Sequence, residues 1–209
     1  MFVQLAITTC GVLAVVTDPS LARFFRKHFY LMYIALVVTI ALSCCMVCFK
    51  KCARQVPMNY CCLLLLTIAM TVLAMTVSGF YNPATVLLCM TMTVSMVAGI
   101  ILLGCCIKGD MFWCYGILAA TVMGTWPLVY FNYLGMIKEK GGWFGSVFAQ
   151  NLLGYVFVTL AAVYIVYDVD SITSRDGISV DDYILGALFL FTDIINLFMC
   201  ILQCFGGGG

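Results

Sequence analysis

"YILGALFLFTDIINLFMCILQCF", residues 183–205, is an almost unbroken apolar run whose only charged residue is Asp193. The run is as long as the roughly 20 apolar residues that a helix needs to cross a hydrocarbon core, and it contains no proline. It therefore predicts a membrane-spanning helix that carries a carboxylate. An ionisable group inside a membrane is costly unless a partner or water compensates it, so Asp193 is a candidate functional residue.

The composition of the whole chain extends this pattern. Of the 209 residues, 65% are hydrophobic and 9% are charged, and the mean hydropathy is +1.13. An ordinary soluble domain has roughly 45–50% apolar and about 25% charged residues, so the chain is predicted to be an integral membrane protein. The net charge of +1 gives no reason to expect a nucleic-acid partner. Seven segments are apolar and long enough to span: residues 1–17, 29–49, 60–80, 84–107, 111–133, 147–168 and 183–205.

Short connections join these segments, among them "DPSLARFFRKH" at residues 18–28 and "YNP" at residues 81–83. Because short loops make consecutive helices antiparallel neighbours, we predict an all-α fold, a single bundle of seven transmembrane helices over residues 1–205. The glycine tail at residues 206–209 lies outside this domain. The first segment lacks a basic start and a small-residue cleavage site, so we expect a retained helix rather than a signal peptide.

Two of the nine acidic residues are not easily placed in loops or at helix ends. "SVDD", with Ser179 as the predicted N-cap, starts the last helix near Val180, which puts Asp193 about 20 Å along the axis. Asp168 either caps the sixth helix at the headgroups or, if that helix continues through Ile172, lies within its last turns. Because the sixth and seventh helices are consecutive, Asp168 and Asp193 could approach each other.

Two carboxylates in contact behave differently from one. They cannot both ionise cheaply, so they share a proton and titrate as a coupled pair. Such a pair would act as a proton-operated latch between two helices. The alternative is a single protonated aspartate whose hydrogen bond holds two helices together.

The 13 cysteines do not predict a metal centre. Most lie inside apolar segments, where a thiol packs as a small hydrophobic group. "CCMVC" contains a C-x-x-C from Cys45 to Cys48, but a structural zinc site usually has about four ligands, and the only histidine, His28, is in a different loop. We therefore expect no metal centre and no cofactor.

Four stretches together resemble the transmembrane BAX inhibitor motif family, also called the Bax inhibitor-1 or Lifeguard family. They are "ARQVPMNY" (53–60), "VSGFYNP" (77–83), "VYDVDSI" (166–172) and "ISVDDYILGALFLFTDIINLF" (178–198), and the resemblance covers nearly the whole chain. The P-x-N-Y and S-x-F-Y segments are most similar to the Golgi anti-apoptotic, or Lifeguard-4, branch. A missing N-terminal tail and abundant Cys and Met would suit a compact viral member of the cytomegalovirus type.

The resemblance implies a seven-helix bundle with the last helix at its centre, in endoplasmic reticulum, Golgi or related membranes. It implies a pH-dependent Ca²⁺ leak that restrains apoptosis, with Ca²⁺ as permeant ion. The pH sensor and ion gate fall on Asp168 and Asp193, which would bind Ca²⁺ weakly and transiently. A basic partner for Asp168 falls on Arg54, Lys51 or Lys50, and all three stay candidates.

Two further polar residues belong to the expected gate. Asp170 departs from the family's YD-x-[QN] pattern and adds a third carboxylate, while Asn196 lies three residues from Asp193 on the same predicted buried face. Five basic residues fall on each predicted side of the membrane, so orientation comes only from the resemblance, which implies a cytosolic N-terminus. The expected partners are the lipid bilayer, Ca²⁺, and apoptosis regulators or other membrane proteins.

Three other functions compete with this hypothesis. An intramembrane aspartyl protease also carries two aspartates on consecutive helices, but its G-x-G-D motif admits substrate, whereas here Asp193 ends a bulky "LFTD" without glycine. We therefore predict that the chain is not an enzyme. A seven-helix receptor is disfavoured because Pro127 is the only proline inside a predicted span. An anti-apoptotic scaffold without intrinsic transport stays open.

Overall fold

The computed structural model describes residues 1–48, 57–106, 146–173 and 180–205, and these residues are almost entirely helical. The predicted all-α class is therefore confirmed for the described residues. Their helices are α1 (Phe2–Thr17), α2 (Pro19–Lys27), α3 (Tyr30–Cys48), α4 (Met58–Ser78), α5 (Pro83–Cys106), α6 (Ser146–Thr173) and α7 (Val180–Phe205).

Six of the seven predicted spans coincide with a described helix, all but residues 111–133, which lie outside the described residues. Within the described part of the chain, three helical stretches are long and apolar enough to cross a membrane, namely Met58–Ser78, Pro83–Leu102 and Gly186–Gln203. Together α1 and α2 would make a fourth, bent span. The chain is thus a helical membrane protein, while the seven-helix arrangement and the central position of its last helix stay predictions.

The prediction of a loop at residues 18–28 is wrong, because Pro19–Lys27 forms α2. Asp18 caps this helix, and its Oδ1 oxygen accepts hydrogen bonds from the Ser20 backbone N–H at 2.8 Å and the Ser20 hydroxyl at 2.7 Å. The bonds from Ser20 lower the pKa of the Asp18 carboxyl, so it is negative at neutral pH beside the positive end of the helix dipole. The proline at the first helical position needs no hydrogen-bond acceptor.

The direction and sequence of α2 differ from those of a spanning helix. It turns by 100° from α1 and has nine residues, so it is about 14 Å long. Phe25 is buried, whereas Arg23, Phe24, Arg26 and Lys27 are exposed. A short helix with one apolar face and a basic opposite face is typical of one that lies in the membrane interface.

The chain divides into two compact units, the first made of Met1–Val86 and Asp176–Ile195. In this unit α4 packs against α1, α2 and α3. Its small residues Ala69, Ala74 and Ser78 are all buried, as close packing of membrane helices requires. The core of the first unit therefore lies along α4.

The second unit is made of Leu87–Arg175 and Asn196–Gly209. On α6 a buried stripe repeats every three or four residues, as one face of a helix requires. The stripe consists of Val158, Ala162, Ile165, Val166 and Val169. On α5 the thiol of Cys89 is fully buried, which confirms that a cysteine packs as a hydrophobic residue here. No group of three or more metal-ligating side chains lies together among the described residues.

Candidate functional site

Asp168 lies inside α6 and not at its end. The helix continues to Thr173, which confirms the second of the two predicted positions for this residue. Asp168 borders the buried stripe between Ile165 and Val169, its side chain is half-buried, and its Oδ2 oxygen is fully buried. A carboxylate thus enters the core of the second unit within the last turns of a long apolar helix.

Asp193 lies deep within α7. The helix begins at Val180, as predicted, so Asp193 is about 20 Å along its axis at 1.5 Å per residue. The Asp193 side chain is half-buried, and the neighbouring Phe191 and Ile194 are buried. The Thr192 hydroxyl donates to the carbonyl oxygen of Leu188 at 3.0 Å. A second carboxylate is therefore half-buried within a long apolar helix.

Asn196 is exposed, so the prediction that it is a buried neighbour of Asp193 is wrong. At about 100° per residue, the buried side chains between Leu188 and Leu202 cover roughly half of the circumference of α7. Asp193 lies at the edge of this arc, and Asn196 lies in the middle of the opposite face. A spacing of three residues places two side chains on one side of a helix but does not decide which side is buried.

Of the four remaining predicted gate residues, the structure describes only Asp170. Asp170 is half-buried on α6, on the opposite edge of the buried stripe from Asp168, because two residues turn a helix by about 200°. Arg54, Lys51 and Lys50 lie outside the described residues. Asp168 belongs to the second unit and Asp193 to the first, and the pairing of these two carboxylates stays a prediction.

A line of buried polar side chains between α1 and α4, which the sequence analysis missed, lies in the first unit. The Gln4 Nε2 group donates to the Thr67 hydroxyl oxygen at 2.9 Å, and the hydroxyl oxygens of Thr8 and Thr71 are 3.0 Å apart. All four side chains are buried. We call Gln4, Thr8, Thr67 and Thr71 the polar seam.

The threonine hydroxyls of the polar seam are satisfied within their own helices, whereas the buried Oε1 of Gln4 has no hydrogen-bond partner among the described residues. The Thr67 hydroxyl donates to the Leu63 carbonyl oxygen, and the Thr71 hydroxyl to that of Thr67, each at 2.7 Å. Threonine can therefore be buried in a span at little cost. The sequence signal that would have revealed the seam is a pair of polar residues four apart in each of two apolar segments. The pairs are Gln4 with Thr8 and Thr67 with Thr71.

Long apolar helices with half-buried carboxylates define an α-helical integral membrane protein that carries ionisable groups in its apolar segments. The family described as inhibitor of apoptosis-promoting Bax1 matches residues 1–209, and the chain belongs to this family. This confirms the resemblance to Bax inhibitor and Lifeguard proteins. The Lifeguard-4 branch and the viral type stay predictions.

Named relatives support the same family. The chain is 29% identical to human (Homo sapiens) protein lifeguard 3 and 26% identical to mouse (Mus musculus) protein lifeguard 3. Each alignment covers 98% of this chain and 65% of the relative, so the chain spans slightly less than two thirds of those proteins. No solved structure matches the chain significantly.

Proposed function

We propose that this protein is a pH-sensitive Ca²⁺ leak channel of intracellular membranes, such as endoplasmic reticulum or Golgi, that lowers stored calcium and restrains apoptosis. Its gate is a proton-sharing pair, Asp168 on α6 and Asp193 on α7. The observation that carries the proposal is that both carboxylates are half-buried within long apolar helices. Membership of a family described as an inhibitor of apoptosis-promoting Bax1 supports the cellular role.

The energetic argument starts from the cost of a carboxylate inside a span, which is about 2.5–3.5 kcal/mol at a helix centre on insertion scales. Two such groups can lower this cost by sharing one proton. Acid then supplies the shared proton, joins the two helices and closes the path. At neutral pH the proton leaves, the carboxylates repel each other, and the path opens.

The chemistry of the pair suits Ca²⁺ as the permeant ion. Carboxylate oxygens are the hard ligands that Ca²⁺ prefers, usually six to eight of them in a tight site. Two carboxylates without dedicated backbone ligands would bind Ca²⁺ weakly and release it readily, as a leak requires. The ion is the cargo, and the proposal includes no resident cofactor.

The test is Ca²⁺ flux in liposomes reconstituted with the pure protein, measured at acid and neutral pH. The wild type, Asp168→Asn, Asp193→Asn and the double variant form a double-mutant cycle. We expect strongly non-additive effects, because either substitution alone removes the shared proton site. Asp18→Asn is the matched control, since it neutralises an exposed carboxylate outside the gate and retains a good helix cap.

The possible results separate the competing functions. Additive effects of the two substitutions would show that the aspartates act independently and would refute the latch. If folded, reconstituted protein gives no Ca²⁺ flux, the result would favour a scaffold that restrains apoptosis through apoptosis regulators or other membrane proteins. Cleavage of an added membrane-spanning peptide, lost in both aspartate variants, would favour the protease.

A further inference from the structure

A small cavity of about 190 Å³ lies within the first unit, between α2 and the ends of α1 and α4. It is smaller than the ~300–1,000 Å³ pockets that enclose drug-sized ligands, so it suits a small chemical group. Its lining includes Val16, Arg23, Arg26, Ser78, Tyr81 and Pro83.

Two guanidinium groups on α2 line this cavity. The Nε–H of Arg23 donates to the carbonyl oxygen of Pro19 at 3.2 Å, and the Nε–H of Arg26 donates to that of Gly79. These bonds use only the Nε–H of each arginine, so the terminal NH₂ groups take no part in them. Neither guanidinium forms a salt bridge with a carboxylate among the described residues. The cavity wall therefore carries two cationic groups; the exposed Asp18 carboxylate attracts Arg23 electrostatically but forms no salt bridge with it.

A buried hydroxyl adds a hydrogen-bond donor. Ser78 is 2% exposed, and its Oγ has no hydrogen-bond partner in the described part of the chain. Three threonines of the same helix instead donate to the carbonyl oxygen four residues earlier; they are Thr67, Thr71 and Thr76. A buried polar group left unsatisfied destabilises the fold, so a hydrogen-bond acceptor that entered the cavity and reached the Ser78 hydroxyl would offset that cost.

The fourth contribution comes from α5. Pro83, which lines the cavity, opens this 24-residue helix, so the positive end of the helix dipole lies at the wall. Two guanidinium groups, an unused hydroxyl and a helix N-terminus all favour an anion. Phosphate fits this set best, because its several oxygens accept hydrogen bonds from arginine forks and hydroxyls together.

We propose that the cavity binds the phosphate of an anionic phospholipid headgroup. A lipid is favoured over a soluble phosphate because α2 has the form of an interfacial helix, turned by 100° from α1 with one basic face. Exposed aromatic residues on and beside α2 are of the kind found at headgroup level. They are Phe24, Phe29, Tyr30 and Tyr33. The small cavity takes the phosphate, while the acyl chains stay in the bilayer.

The experiment is a native mass spectrometry titration of the full chain in neutral detergent with dioleoyl phosphatidic acid. Dioleoyl phosphatidylcholine, whose choline cation offsets the phosphate charge, should bind more weakly. We expect Arg23→Gln and Arg26→Gln each to weaken phosphatidic acid binding about tenfold, and Ser78→Ala about threefold. Lys27→Gln is the matched control, since it removes an equal charge from the same helix without lining the cavity.

Each contrary outcome has a distinct meaning. An equal loss in Lys27→Gln would show diffuse attraction to a basic surface and overturn the site. Displacement of the lipid by inorganic phosphate or glycerol 3-phosphate at equal concentration would assign the cavity to a soluble phosphate instead. Because Arg26 also holds Gly79, thermal unfolding of every variant is measured first without lipid. Arg23→Gln and Ser78→Ala leave that bond intact, so lipid binding by these two variants tests the site independently of the Arg26–Gly79 contact.

Discussion

Gly11 is the position where a single methyl group should disturb the crossing of α1 and α4. A Cβ atom there would lie 2.8 Å from the Cγ2 of Thr71 and 3.0 Å from the sulfur of Met75. The Met75 sulfur is near the end of a flexible side chain and can move. Thr71 cannot rotate freely, because its hydroxyl contacts the Thr67 carbonyl oxygen and the Thr8 hydroxyl. Gly11→Ala must therefore break these contacts or separate the helices.

The two opposing free energies can be compared. Overpacking a close contact costs about 1–3 kcal/mol, and each interhelical hydrogen bond in a membrane is worth about 0.6 kcal/mol. Alanine recovers about 0.5–1 kcal/mol relative to glycine through its better helix preference. We expect Gly11→Ala to destabilise the first unit by about 1 kcal/mol. In the Thr71→Ser background, which keeps the hydroxyl and removes Cγ2, most of that loss should disappear.

The assay is equilibrium unfolding in detergent micelles, followed by circular dichroism, for the wild type, both single variants and the double variant. The coupling free energy of this cycle should be about 1 kcal/mol, with the double variant no less stable than Thr71→Ser alone. Ala6→Gly, on an exposed position of α1, measures the alanine–glycine preference without the contact. A Gly11→Ala variant as stable as the wild type, or a loss unchanged by Thr71→Ser, would refute this account of the crossing.

Three further predictions concern charge. Asp193→Asn should keep the fold, since an amide still forms hydrogen bonds, but should remove most of the pH dependence of Ca²⁺ flux in liposomes; an unchanged pH profile would contradict the latch. Neutralising Arg54, Lys51 and Lys50 in turn should raise the resting leak for one of them, with Arg54 favoured because its fork suits a carboxylate, and three silent variants would exclude a clamp there. Because the pKa of Asp18 is lowered on folding, its cap on α2 should persist at neutral pH and weaken only as pH falls below the ordinary value of 3.8 towards the lowered one. Asp18→Ala removes this cap, so hydrogen exchange of the α2 amides should rise at neutral pH. Asp18→Asn retains a helix cap and should leave the exchange unchanged.

The spans were the most predictable part of the fold. A run of about 20 apolar residues has few alternatives to a helix in lipid, because every backbone polar group must be satisfied within the segment. This constraint placed α4, α5 and α7, and "SVDD" placed the start of α7 at Val180. The end of α6 was harder, because the helix continues to Thr173, beyond the last apolar residues before Asp168. Hydropathy marks the edge of the apolar region and not the last helical hydrogen bond.

The same emphasis on hydropathy concealed α2. Its sequence contains an Asp-Pro-Ser start and basic residues in the last turn, which are helix signals, but the segment is too short and too polar to be identified as a span. Asn196 was misplaced for a related reason, since spacing alone cannot identify the buried side of a helix. That side depends on which neighbours the helix packs against, and this information is contained in the tertiary structure and not in one segment of sequence.

The threonine hydroxyls and the carboxylates within these helices differ in hydrogen-bond chemistry, which explains why only the carboxylates are expected to control function. A threonine hydroxyl such as that of Thr71 donates to a carbonyl oxygen of its own helix, so it is stable at any pH. An ionised carboxylate only accepts hydrogen bonds, and carbonyl oxygens cannot donate, so a helix offers Asp193 no such local solution unless the carboxyl is protonated. Substitutions in the polar seam should therefore change stability and leave the pH response intact. Those at Asp168 or Asp193 should change the pH response first.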